Sequence, residues 1–279
     1  LRPSCPFLIY LRQRRKCGMS NQTALVTGAS RGIGYEFAKI LPKDCGALIL
    51  VARDERKLRD VKKELEAAAP VAVLVLSKDL SKPGAAEEIF RELEERNIAV
   101  DILVNNAGFG DHGAFVETDW QREERMIAVH ITALTRLTKL AVQGMVGRKR
   151  GSIVNVASTA AFQPGPFMSV YYASKAYILS FTEALANELK GTDVTVTALC
   201  PGPTATGFAT TSGMADSRLF RVVKPARAAD VARFGYEAMK RGKTVAIHGV
   251  LNRIMSFCVR MSPRKLVLVI VRWLHEKTG

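Results

Sequence analysis

TALVTGASRGIG, residues 23–34, is the stretch whose reading decides the fold. Residues 23–26 form a short run of strand-forming character, a glycine-rich turn follows from Gly28 to Gly34, and residues 35–41 have helical character. A strand, a glycine-rich turn and a helix make a phosphate cradle. Glycine lets a ligand approach the backbone closely, and a helix N-terminus attracts anions. The spacing is G-x-x-x-G-x-G, not G-x-G-x-x-G, and no Gly-Lys-Ser/Thr follows, which disfavours a P-loop nucleotide hydrolase. Alone, such a turn can be either a binding loop or a tight structural turn.

Working outward, residues 47–51 (ALILV) read as a second strand, 71–76 as a third, 102–105 as a fourth, 152–157 as a fifth, 193–200 as a sixth and 244–248 as a seventh. Helical patterns occupy 55–68, 82–96, 119–145, the stretch beginning near Tyr171, and 228–241. Strands alternating with helices throughout predict an α/β chain with a parallel, doubly wound sheet. The second strand ends at Ala52-Arg53. In dinucleotide folds a carboxylate at this edge takes the adenosine ribose 2′-hydroxyl, whereas an arginine accommodates a 2′-phosphate. Arg53, with Arg31 in the glycine-rich turn, therefore favours NADP(H). The rival carboxylate, Asp54, reads as the cap of the next helix. Asp79, after the third strand, has two open readings: a contact to the adenine amino group, or a helix cap near Ser81.

The fifth strand ends on a hydroxyl, Ser158, at the sheet edge where open α/β folds place their chemistry. Tyr171 and Lys175 follow, four residues apart on one helix face. A neighbouring cation favours the phenolate, so Lys175 can tune Tyr171 as a proton donor or acceptor, and Ser158 can hold a carbonyl oxygen beside it. Y-x-x-x-K taken alone is also the ordinary start of an amphipathic helix with a solvated lysine.

The formal charge of +15 is uneven: residues 1–18 carry +5, residues 253–279 carry +5, and 19–252 carry the remaining +5. A mildly basic body without an aromatic-interleaved Lys/Arg stripe argues against nucleic-acid binding. Five scattered cysteines show no metal-ligand spacing and read as reduced cytosolic thiols. No metal site is expected. Residues 1–18 are Arg-rich, their apolar stretch is shorter than a secretory core, and Met19 directly precedes SNQTALVTG. The expected organisation is an N-terminal extension at 1–18 with no role in the fold, one domain at 19–252 and a basic amphipathic tail at 253–279. Residues 205–225 read as a lid over a substrate.

TGASRGIG at 27–34, NNAG at 105–108, Ser158, YYASK at 171–175 and PGPT at 201–204 occur in this order, and on these motifs residues 20–250 resemble the short-chain dehydrogenase/reductase family. The resemblance implies a single-domain Rossmann-type doubly wound parallel sheet of about seven strands with helices on both faces. It implies that Gly28, Ser30, Arg31, Gly32, Ile33 and Gly34 line the pyrophosphate and adenosine ribose of NADP(H), with Arg53 on the 2′-phosphate and Asp79 and Leu80 flanking adenine. Asn106, Ala107 and Gly108 would pass beneath the ribose, Lys175 would also hold the nicotinamide ribose, and Pro201, Gly202 and Thr204 would fix the nicotinamide. Ser158, Tyr171 and Lys175 would then serve hydride transfer between NADP(H) and a carbonyl/alcohol carbon, in a cytoplasmic homodimer or homotetramer.

Two departures stand out. His130 occupies the place of the family's helix asparagine, where it either joins a water relay to Lys175, with an inflection in rate between about pH 6 and 7, or merely packs. The tail lacks the family's Asp-Gly-Gly finish; in its place two basic amphipathic segments flank Pro263, suited to an acidic membrane surface or to a neighbouring subunit. Phe109, Phe162, Phe167 and Met168 add the alternative of a lipid-type acyl or steroid carbonyl substrate. A redox-inactive NADP(H)-binding protein is a further alternative, against which the complete Ser158/Tyr171/Lys175 set argues.

Overall fold

A computed structural model describes residues 22–276; the 1–18 extension and Met19 lie outside the described residues. Seven parallel strands form the main sheet: β1 (Gln22–Thr27), β2 (Cys45–Ala52), β3 (Ala72–Ser77), β4 (Ile102–Asn105), β5 (Gly151–Val156), β6 (Val194–Cys200) and, later in the chain, β9 (Val245–Ile247). A two-stranded sheet of β7 (Thr204–Ala205) and β8 (Ala226–Arg227) lies apart from it. The main sheet runs in the order β3-β2-β1-β4-β5-β6-β9, so the direction of winding reverses between β1 and β4. Open α/β sheets bind ligands at that reversal, beyond the carboxyl ends of the strands.

The strands read as nearly continuous apolar runs because both faces are covered. Ala24, Val26, Leu48 and Leu50 pack with Phe37 of α1 (Gly32–Ile40), Leu58 of α2 (Glu55–Ala68) and Val231 of α9 (Ala228–Lys240). Their neighbours Leu25, Ile49 and Val51 pack on the other side with Ile89 of α3 (Ala85–Glu95) and with Leu137 and Met145 of α5 (Leu134–Gly147). Truncating one of these fully buried leucines to alanine costs about 2–5 kcal/mol, since the hole does not close.

Three boundaries differ from expectation for physical reasons. The helix expected from Lys82 starts at Ala85, after Pro83 and a left-handed Gly84. The helix expected over 119–145 is α4 (Trp120–Ile127), a π-helical stretch at Ala128–Ala133, and α5. Such widened turns often mark functional sites, and His130 lies in this one. Beyond β9 the chain ends in two helices, α10 (Val250–Met261) and α11 (Arg264–His275), broken at Pro263; α10 begins before residue 253.

Candidate active site

The turn after β1 is built for close approach. Gly28 and Gly32 have φ of +65° and +62°, and a Cβ on Gly34 would stand 2.3 Å from Asn106 Nδ2 and 2.5 Å from Gly28 O. Asn106 braces the turn, donating to Thr27 O (2.9 Å) and Gly28 O (3.2 Å), while the backbone N–H groups of Asn106 and Ala107 donate to Thr27 Oγ1. Asn106 therefore supports the cradle from behind. The first turn of α1 has neither a capping side chain nor an acidic residue, leaving its N–H groups open to an anion.

Gly28, Ser30, Arg31, Gly32 and Ile33 line one end of a cavity of about 890 Å³ whose wall also includes Arg53, Asp79, Leu80 and Asn106–Gly108. Arg31 and Arg53 are exposed at its rim. Asp54 caps α2 by accepting from Lys57 N, so the carboxylate nearest the end of β2 is engaged with backbone. Asp79 accepts from both Ser81 N (3.0 Å) and Ser81 Oγ (2.8 Å), closing a local turn. The helix-cap reading of Asp79 therefore fails, since α3 begins at Ala85 with Gly84 at its N-cap, and Asp79 keeps its place on the cavity wall.

The same cavity holds Ser158, Tyr171, Lys175, Pro201, Gly202 and Thr204 at its other end. Tyr171 and Lys175 lie on α6 (Ser169–Glu188) and Ser158 just beyond β5. The phenol of Tyr171 is pushed up to about 12 by burial, against a hydrogen bond with Ser158 that pulls it down. Lys175 Nζ stands 5.7 Å from the Tyr171 ring centroid and donates to Val156 O at 2.8 Å. Burial lowers its ammonium to about 8. The depression of Tyr171 expected from an adjacent lysine is thus outweighed by desolvation, and the phenol is protonated at neutral pH. Thr204 Oγ1 donates to Gly202 O (2.9 Å), and a Cβ on Gly202 would meet Asn252 of α10 at 2.6 Å.

His130 is buried, and both its ring nitrogens are occupied. Nε2 accepts from Phe109 N at 3.1 Å, which leaves the proton on Nδ1 to be donated to Ser174 Oγ at 2.8 Å; Ser174 in turn donates to Tyr171 O at 2.7 Å. Burial, and then the charge of Lys175, hold the imidazole well below its ordinary value. Of the two readings of His130 the geometry favours packing, and it removes the ground for an inflection between pH 6 and 7. A Cβ on Gly108 would stand 2.6 Å from His130 Nε2, which accounts for glycine there.

Further contributors come together only in the fold. Asn105 Nδ2 donates to Thr138 Oγ1 and Asn155 Oδ1, and Asn155 Nδ2 donates to Thr182 Oγ1, a buried polar chain linking β4, β5, α5 and α6. Arg122 reaches Asp111, Gly110 O and Thr211 O, tying the segment after β4 to α7 (Phe208–Ser212). Residues 205–225 form α7 and α8 (Arg218–Val222) over the cavity, with Phe208 5.2 Å from the Tyr171 ring. No cluster of three His, Cys, Asp or Glu suited to a metal ion occurs among the described residues.

A family model described as short chain dehydrogenase matches residues 22–216. The chain belongs to the short-chain dehydrogenase family. A ketoacyl reductase, HetN, of Nostoc sp. is 32% identical over 184 residues, 66% of this chain and 64% of that protein, so the chain aligns to less than two thirds of that relative. Among solved structures, a short-chain dehydrogenase from Sphingobium yanoikuyae in complex with NADPH superposes with a TM-score of 0.76 at 30% identity, covering 86% of this chain and 94% of that one. A short-chain dehydrogenase/reductase from Burkholderia phymatum in complex with NAD gives 0.75 at 26% identity, covering 92% and 98%. The chain is thus similar to oxidoreductases that differ in the cofactor bound.

Proposed function

We propose that the protein transfers hydride between NADP(H) and a carbonyl/alcohol carbon of an apolar small molecule. The observation that carries this reading is one continuous cavity with a glycine cradle and two rim arginines at one end and Ser158, Tyr171 and Lys175 at the other. The cradle fits a pyrophosphate: its glycines leave no room for a Cβ and α1 presents uncapped N–H groups. Arg31 and Arg53 suit a 2′-phosphate, with charge-assisted bonds that a 2′-hydroxyl cannot return. When bound, NADPH supplies the hydride. In reduction, Ser158 donates a hydrogen bond that holds the substrate oxygen, and Tyr171 gives that oxygen its phenolic proton. Lys175 stands where its charge stabilises the phenolate left behind. Oxidation needs the phenolate first and should improve as pH rises.

Phe109, Met168, Tyr172, Met214, Leu219 and Phe220 line the substrate end, which supports an apolar substrate, with a lipid-type acyl or steroid carbonyl as the second reading. A redox-inactive binding role leaves the Ser158–Tyr171 pair without a purpose. Assembly into a homodimer or homotetramer belongs to the same proposal, supported by Val146 and Tyr177, large side chains exposed on α5 and α6. A cytoplasmic setting agrees with the free thiols of Cys45, Cys200 and Cys258.

The test is NADPH consumption across aldehydes, ketones, 3-oxoacyl thioesters and steroids, by the protein and by Tyr171→Phe. Turnover of at least one class is expected, with a loss of about a hundredfold or more in the variant and nearly unchanged NADPH affinity. A variant keeping more than about a tenth of the rate removes Tyr171 from proton transfer.

A further inference from the structure

A surface helix ordinarily turns its apolar stripe toward the core, yet α10 does the reverse. Asn252, Ser256 and Val259 face the protein, while Leu251, Ile254, Met255, Phe257 and Met261 lie outward, from 52% exposed at Ile254 to 75% at Met261. The helix after Pro263 is apolar on both sides. Val267, Val271 and His275 are buried, and Leu266, Val269, Ile270 and Trp273 point away from them, Val269 being 66% exposed. Among the described residues nothing covers these two outward faces.

We propose that α10 and α11 together form a docking surface for an anionic lipid bilayer, which holds the substrate end of the cavity against the membrane. Each helix has 12 residues, about 18 Å at 1.5 Å per residue, so neither can cross a hydrocarbon core of about 30 Å. Both suit a position in the plane of the interface, where an apolar face sinks among the acyl chains and flanking cations meet lipid phosphates. The cations are in place. Arg253 and Arg260 fall together on one flank of the apolar face of α10, and Lys265 and Arg272 on one flank of that of α11, all exposed. The acid in this stretch, Glu276, is paired with Arg218 at 2.7 Å and more distantly with Arg272 at 3.9 Å, and Arg272 also stacks on Phe167, so Arg253, Arg260 and Lys265 carry most of the charge offered to phosphates. Trp273 is half exposed on the outward face, as interfacial aromatics are. These charges select the occupant. A second copy docking here would bring cations against cations, whereas an anionic bilayer neutralises them.

No residue of these helices lines the cavity, but their inward sides pack behind residues that do. Val267 and Val271 pack in one cluster with Met168, Tyr172 and Met214. His275 shares a 2.8 Å hydrogen bond between Nε2 and Tyr172 Oη, beside Tyr171. Arg218 of α8 stacks on Trp273 (5.2 Å) and donates to Trp273 O, joining the cover of the cavity to the docking face. Delivery of an apolar carbonyl compound from the bilayer rests on the reductase reading, whereas binding to the bilayer does not.

The experiment is cosedimentation of the full chain, without cofactor or substrate, with vesicles of phosphatidylcholine with or without phosphatidylglycerol. Vesicles containing phosphatidylglycerol should bind at least about tenfold more tightly, and added salt should weaken that binding. The double variant Phe257→Ser/Val269→Ser should lose about tenfold or more, with its thermal unfolding transition retained. Should that variant fail to fold, Trp120→Phe leaves Trp273 as the sole tryptophan, and brominated lipid should quench it. Absence of binding to anionic vesicles at low salt overturns the proposal, as does binding without quenching of Trp273. A vesicle affinity that survives the double variant while a dimer falls to monomers assigns the face to a second copy instead. Because no turnover is read, these outcomes stand apart from the fate of the reductase reading.

Discussion

Lowering the pH from 7 to 5.5 should destabilise the unliganded protein through His130, whose surroundings require a neutral imidazole. In the unfolded chain a histidine titrates near 6.5, whereas in the folded chain burial, and then the charge of Lys175, hold His130 well below that value. Between the two values the unfolded chain carries a proton that the native one lacks. Stability is therefore fully present above about pH 6.5 and is lost as the pH falls below it. Taken to pH 5.5, the loss is ~1.3 kcal/mol for this one group, or a few degrees in Tm for a chain of this size. His275 is shifted the same way by burial and adds to the effect, while carboxylates titrate near pH 4 and leave this window to the histidines. The assay is urea unfolding at both pH values for the protein and for His130→Asn. The variant should be less stable overall by about 1–3 kcal/mol, because Phe109 N–H loses its acceptor and Ser174 its donor. Its acid-induced loss should nevertheless be smaller by ~1.3 kcal/mol. Equal acid-induced losses in the two proteins would refute a neutral, buried His130. The same geometry predicts a rate profile without an inflection between pH 6 and 7.

What could be read in the sequence was what the backbone itself enforces. The glycines at 28, 32 and 34 are required by φ and by atoms closer than a Cβ allows, and the i, i+4 spacing of Tyr171 and Lys175 survives in any helix. The seven strands were legible because sheets buried on both faces are written as continuous apolar runs. Effects set by three-dimensional surroundings were not. The spacing of Tyr171 and Lys175 suggested a lowered phenol, but burial, which no spacing encodes, dominates. The π-helical stretch at Ala128–Ala133 has no periodic signature of its own, so a continuous helix was the natural reading and the double engagement of His130 stayed hidden. Asn105 stands in the NNAG motif, but Thr138, Asn155 and Thr182 look like scattered polar residues until the fold stacks them with it. The tail read as two basic amphipathic segments around Pro263, but the pattern could not say which side faces the protein, and in α10 it is the polar side that does.

Two further predictions follow from charged groups at opposite ends of the cavity. Arg53 is exposed at the rim, with Arg31 the other arginine there. NADPH should therefore bind about tenfold or more tightly than NADH, and Arg53→Ala should remove most of that difference in fluorescence titrations; equal affinities in the unmodified protein would end the assignment. Lys175 is 6% exposed and forms no ion pair among the described residues, its ammonium resting on the single carbonyl of Val156. Its folded value of about 8 lies below that of an unfolded lysine, near 10.4, so the cost of burying the charge is in full force below pH 8 and is relieved as the pH climbs toward 10. At neutral pH that cost is ~3 kcal/mol at most. Lys175→Met, of similar length and without the charge, should abolish turnover yet raise the stability of the unliganded protein at pH 7 by about 1–3 kcal/mol, the lost Val156 contact offsetting part of the gain. A folded Lys175→Met protein with a lower Tm than its parent would show that the ammonium is compensated in the fold, and that its place beside Tyr171 costs the structure nothing.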